Sequence, residues 1–294
     1  MKLRTITRPI IGRHIAVALT LAAGSLSAAS YLDTNGFTAL WATTTNLNGS
    51  GVVVAQAEAI TGGYPPSMYQ WEVNPVTVGQ PALPFSYIFL SSTNVFPNSL
   101  GAESGHADAV ASYFYGLPSG EATNVAVVNQ SFIDSGISID IQQARDLEYD
   151  NYAAQFGTLF VSAVGNGGQV YCPATCYNGL GVAAFGTANS SVGPTLDNGR
   201  CKPDITAPAD ATSYSTPQVS GAATVLLQAA LRGDGGSATK SAADLRTLKA
   251  LLLNGAVKPA GWTNSSASPL DARYGAGLVN IFNSYTELAG GKHG

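Results

Sequence analysis

Short, nearly continuous apolar runs alternate along the chain with stretches whose apolar residues recur at helical spacing. "GVVVAQAEA" (Gly51 to Ala59), "NVAVVNQSF", "TLFVSAVGNGG" and "GLGVAAFG" read as buried strands. "HADAVASYFYG" predicts a helix opening at His106 and stopping at Gly116. "ISIDIQQARDLEYDNYAAQFG" predicts an amphipathic helix ended by Gly157, and "ATSYSTPQVSGAATVLLQAA" a long apolar one. Two more helical segments fall around Ala243 to Leu253 and Val279 to Leu288, and a Pro-rich loop region runs to about residue 100. Strands this apolar, alternating with helices, predict an α/β fold: a parallel sheet with helices on both faces, doubly wound. With no internal repeat or long linker, one domain is expected over residues 31–290.

The N-terminus departs from this pattern. Lys2, Arg4, Arg8 and Arg13 precede the apolar run "IAVALTLAA" and then "GSLSAAS", which reads as a secretory signal peptide over residues 1–29, cleaved after Ala29. The run is too short to span a membrane, so a secreted or periplasmic protein is expected, free of the membrane after cleavage and monomeric. Cleavage leaves 10 Lys and Arg against 18 Asp and Glu, a net charge of −8. An acidic chain without basic clusters argues against a nucleic-acid partner. The 45% apolar and 11% charged composition fits a large globular core. Three cysteines in an oxidising compartment predict one disulfide, Cys172 with Cys176, and one spare thiol at Cys201. Zinc is disfavoured, because a fourth ligand near the C-x-x-x-C spacing is missing.

Parallel sheets place their sites at the carboxyl ends of strands. Four residues fall at such ends or at helix starts: Glu58, His106, Asn166 and Ser213. A serine nucleophile needs a base within reach, and the base needs an acid to fix its tautomer. His14 leaves with the signal and His293 lies in a Gly-rich tail, so His106 is the candidate base. Each residue also has an ordinary explanation: Ser213 as a helix cap, His106 as a helix-start residue, Asn166 between glycines as a turn residue. A carboxylate closing an apolar strand is harder to explain, because burying it unpaired is costly.

These residues stand inside blocks that resemble those of the subtilisin-like serine peptidases, the subtilases. The family's G-T-S-M-A-T-P-H-V-A-G-A-A stands as "ATSYSTPQVSGAA", H-G-T-H-V-A-G as "HADAVAS", A-A-G-N as "SAVGN" and K-P-D-I-x-A-P-G as "KPDITAPA". "SFI" resembles S-L-G, and "GAGLVN" the late G-x-G-x-V-N. The resemblance runs from Gly51 to Ser284 and implies a subtilisin-like fold and serine endopeptidase activity on a polypeptide substrate. It implies Ser213 as nucleophile, His106 as base and Asn166 as oxyanion donor. Ser131, Phe132, Ile133 and Gly165 would bind an extended substrate beside "NQSFI" and "VGNGG". Calcium is common in the family, but no ligands are assignable here.

The aspartate block G-V-x-V-A-V-I-D-T-G stands as "GVVVAQAEAI", which puts Glu58 at the acidic position. Glutamate reaches roughly 1.5 Å further than aspartate, so the strand end or the His106 helix must shift to fit it. Asp108 is a competing orienter, disfavoured because neighbouring helix positions do not share a face. Ala211 and Tyr214 replace the family's glycine and methionine, and the route from "KPDITAP" to "ATSYSTP" is short. The alternative reading is a catalytically inactive secreted binding module of the same fold. An α/β-hydrolase is excluded by the lack of G-x-S-x-G. A dinucleotide fold is excluded because "GLGVAA" is not followed by a helix.

Overall fold

The computed structural model describes residues 31–80, 85–90, 92–97, 100–115, 125–197 and 199–290. Residues 1–29, read above as a signal peptide, lie outside the described residues. Five strands form one parallel sheet: β1 (Val53–Ala57), β6 (Val125–Gln130), β7 (Leu159–Ala163), β8 (Leu180–Phe185) and β9 (Ile205–Pro208). They lie across the sheet in chain order, with β1 at one edge. β7 is buried along its whole length, as a central strand covered on both faces must be.

The side-chain alternation assigns the two faces. Asn129 of β6 is paired in register with Gln56 and Val161 and reaches Ser220 of the long helix α4 (Thr212–Leu231). The opposite face carries Phe160, which packs on Tyr149 and Tyr152 of α3 (Ile139–Phe156). Helix α2 (Gly105–Phe114) packs beside α4. Helices therefore cover both faces, as the sequence predicts. The main core lies between α4 and the sheet, around Val219, Leu226, Val182 and Ile205. Among the described residues no helix is long and apolar enough to cross a membrane.

One helix was not anticipated, and two expectations need correction. A helix α1 (Phe37–Thr43) precedes β1, its Phe37 and Leu40 fully inside the core. The Pro-rich region contains two small sheets, β2 (Gln70–Glu72) with β5 (Ala102–Glu103) and the hairpin β3 (Ser86–Phe89) with β4 (Ser92–Val95). Strands of two to four residues are too short to show a period. Helix α3 is not amphipathic in the expected sense, for it buries Gln142 and Asp146 and exposes Ile141, Leu147 and Phe156. Asp146 points inward because Thr175 Oγ1 donates to it at 2.7 Å and Arg200 approaches at 3.4 Å. The remaining helices are α5 (Thr239–Ala242), α6 (Leu245–Asn254) and α7 (Ile281–Gly290).

Candidate active site

Glu58 follows the last residue of β1, and His106 sits in the first turn of α2, whose N-cap Ser104 accepts from the Ala107 N–H. The two side chains meet: His106 Nδ1 lies 2.9 Å from Glu58 Oε2. The Glu58 side chain is only 4% exposed, whereas that of His106 is 43% exposed. The hydrogen bond to Glu58 raises the His106 pKa above its ordinary value, burial opposes this, and the Glu58 charge adds to the rise. The other carboxylate oxygen accepts from Gln56 Nε2 at 2.7 Å.

Ser213 occupies the first turn of α4, which begins after a three-residue link, Ala209–Ala211, from β9. Ala211 caps this helix with extended backbone (φ −145°), which any residue adopts, so the missing glycine is accommodated. Pro217 lies four residues after Ser213 and has no N–H, which leaves the Ser213 carbonyl without its helical donor. Ser131 Oγ, just past the end of β6, supplies that bond at 2.9 Å. Ser213 Oγ in turn donates to the Ser131 carbonyl at 3.3 Å, and among the described residues no hydrogen bond joins it to the His106 ring. Ser131 is itself held by Asn129 Nδ2, whose Oδ1 accepts from Ser220.

Asn166 is exposed, but its Oδ1 accepts from both the N–H (2.8 Å) and the hydroxyl (3.0 Å) of Thr212. A backbone N–H can only donate, so the amide orientation is fixed and Nδ2 is kept for another partner. Gly165 adopts φ 108°, and a Cβ there would sit 2.8 Å from Ser191 Oγ, so this position requires glycine on both counts. The carbonyls of Gly165 and Gly168 accept from Ser191 and Val192, so these two acceptors of "VGNGG" are already engaged. Phe132 and Ile133 are half-buried and continue the chain past Ser131 toward the Asp134–Cys172 bridge.

Asp108 faces away from His106. It accepts from the Asn74 N–H at 2.7 Å and neighbours Glu103. Burial raises its pKa to about 6, with the Glu103 contact adding to the rise and the Asn74 bond opposing it. The expected disulfide is absent: Cys172, Cys176 and Cys201 are all free thiols. Cys172 turns to Asp146, while Cys176 Sγ fills the space that a side chain at Gly179 would need. Burial pushes these two thiols up to about 12 and about 11. Tyr214 lies 6.5 Å from the His106 ring in an aromatic row that continues to Tyr113 (5.8 Å) and Tyr31 (5.4 Å). Among the described residues, no group of three His, Cys, Asp or Glu could hold a metal ion.

Sequence reasoning missed Gln56, the Thr212 clamp on Asn166 and the Ser131–Ser213 exchange. A glutamine inside an otherwise apolar strand was the available signal for the first, and Pro217 for the last.

The subtilase family model matches residues 89–277, nearly two thirds of the chain and the part holding His106, Asn166 and Ser213. The chain belongs to the subtilase family. Glu58 lies before the matched residues. No curated protein matches the chain. The prenylagaramide maturation protease PagA is similar in structure, with 20% identity, a TM-score of 0.50, and coverage of 86% of this chain and 98% of that one. A mutant of the PatA protease domain shares 24% identity at a TM-score of 0.41 over 57% of this chain. A lanthipeptide protease shares 15% identity at a TM-score of 0.44, covering 62% of this chain. The chain spans 61% of the PatA protease-domain structure and 65% of the lanthipeptide protease.

Proposed function

We propose that the protein is a secreted serine endopeptidase that uses Ser213, His106 and Glu58, working as a monomer on extended polypeptides. The observation that carries this reading is the 2.9 Å contact between His106 Nδ1 and the buried Glu58 carboxylate. It leaves the other ring nitrogen, Nε2, as the proton acceptor. In this mechanism His106 takes the Ser213 proton, Ser213 Oγ attacks the peptide carbonyl, and His106 returns the proton to the departing amine. Water then hydrolyses the acyl-enzyme with His106 again as base. Asn166 Nδ2, held by Thr212 through the opposite end of its amide, is suited to donate to the tetrahedral oxyanion. The N-terminus of α4 adds a favourable dipole there.

The proposal includes a signal peptide over residues 1–29 and a peptidase domain over 31–290. The second reading, an inactive binding module, is favoured by one observation: Ser213 Oγ is bonded to the Ser131 carbonyl and not to His106. Catalytic hydrogen bonds are often loose without substrate, and rotation about one side-chain bond frees the hydroxyl. Treatment of the folded protein with a fluorophosphonate, followed by intact mass and peptide mapping beside a Ser213→Ala control, tests the choice. An adduct on Ser213 is expected; its absence on a folded protein would favour the binding module.

A further inference from the structure

Gln56 lies two residues before Glu58 on β1 and so projects to the same face of the sheet. Its Nε2 donates twice, to Glu58 Oε1 at 2.7 Å and to the carbonyl of Ala107 at 3.0 Å. Neither acceptor can donate, so the amide must turn its NH2 group toward both. Its own carbonyl oxygen is then left buried with no partner among the described residues. A buried polar atom without a partner is costly, and a side chain that served packing alone would not keep one.

The two acceptors are informative. Glu58 is the acid, and Ala107 directly follows His106 on α2. One amide thus ties the strand end to the helix that carries the histidine. It also divides the carboxylate: Oε1 is held by Gln56, leaving Oε2 for His106. A glutamate has one more rotatable bond than an aspartate, and Ala59 and Ile60 after it carry no side-chain donor. Among the described residues, Gln56 and His106 are the side chains hydrogen-bonded to Glu58.

We propose that Gln56 is a positioning residue that fits a glutamate to the orienting role, by pinning Oε1 of Glu58 and the first turn of α2 to one amide. The catalytic consequence rests on the reading of His106 as the base given above; the geometric one does not. Glu58 is the charged group that acts on the His106 ring.

The test compares wild type, Gln56→Met, Glu58→Gln and the double variant. The His106 ring is titrated by NMR and assigned against His106→Gln, and turnover of a peptide substrate is measured in parallel. Gln56→Met should lower the His106 pKa. It should also lower kcat about 10- to 100-fold, the scale of a misplacement near 1 Å, with KM unchanged within about twofold. Both effects should vanish in the Glu58→Gln background. Should Gln56→Met fail to fold by circular dichroism, Gln56→Leu removes the donors without adding a charge beside Glu58 and gives the same reading. An unchanged His106 pKa in a folded variant would overturn the proposal, as would equal effects with and without Glu58, or failure of both variants to fold. A wild type without turnover that still showed the Gln56-dependent titration would refute the peptidase reading alone.

Discussion

Ser131 Oγ donates to the carbonyl of Ser213, and Ser213 Oγ donates back to the carbonyl of Ser131. The first bond exists because Pro217 cannot serve that carbonyl, so a residue with no role in proton transfer sets where the first turn of α4 ends up. Ser131→Ala should leave a part-buried carbonyl without a donor and cost about 1–3 kcal/mol of stability, read from urea unfolding. A loss within experimental error would show that water replaces the hydroxyl.

Glu58→Gln should reduce turnover by on the order of 10⁴, the scale seen when an orienting acid loses its charge. Asp108→Asn should stay within a few-fold of wild type, since Asp108 bonds Asn74 and not His106. The reverse ranking in steady-state kinetics would make Asp108 the orienter.

His106 must be neutral to act as a base, and Glu58 raises its pKa. The acid limb of kcat/KM should therefore lie above the ordinary histidine value of about 6.5. Stability runs the other way. A raised folded pKa gives stabilisation that is fully present below the unfolded value and is lost as pH rises through the folded one. Activity should thus appear over the window in which this increment of stability disappears. A limb at or below about 6.5 would mean that the Glu58 contact is not kept in solution.

Asp204, in the "KPD" block, lies 2.5 Å from Lys202 and 3.2 Å from Lys249, all buried or nearly so. Burial alone would raise the Asp204 pKa, yet the two lysines and the Gly181 N–H hold it below the usual carboxylate range. Lys202→Met should destabilise the fold by about 3–5 kcal/mol, because it leaves a buried charge poorly compensated. Thermal melts at neutral pH would check this, and a change under about 1 kcal/mol would count against it.

Four of the five sheet strands, β1 and β6 to β8, and the helices around them were legible because their apolar runs are long enough to show; β9, four residues long, was not legible as a strand. The four candidate site residues were legible because they fall at strand ends and helix starts. What escaped was set by contacts remote in sequence. Asp146 turns inward on a mostly polar helix because Thr175 and Arg200 wait there. The cysteines stay apart because Asp146 and Gly179 each claim one thiol's direction, which a spacing of four residues does not reveal. The use of Gln56 becomes visible only once Ala107 is brought to it across 51 residues of chain.

β1 lies at the margin of the sheet, with β6 as its one neighbouring strand there, while Asn166 follows the central strand β7 and Ser213 stands on the buried helix α4. Marginal strands open more readily than central ones. Fraying of β1 alone would carry Glu58 away from His106 and leave β6 to β9 and α4 standing. Gentle warming should therefore disarm the protein before it melts, with amide hydrogens of Val54 to Ala57 exchanging earlier than those of Leu159 to Ala163.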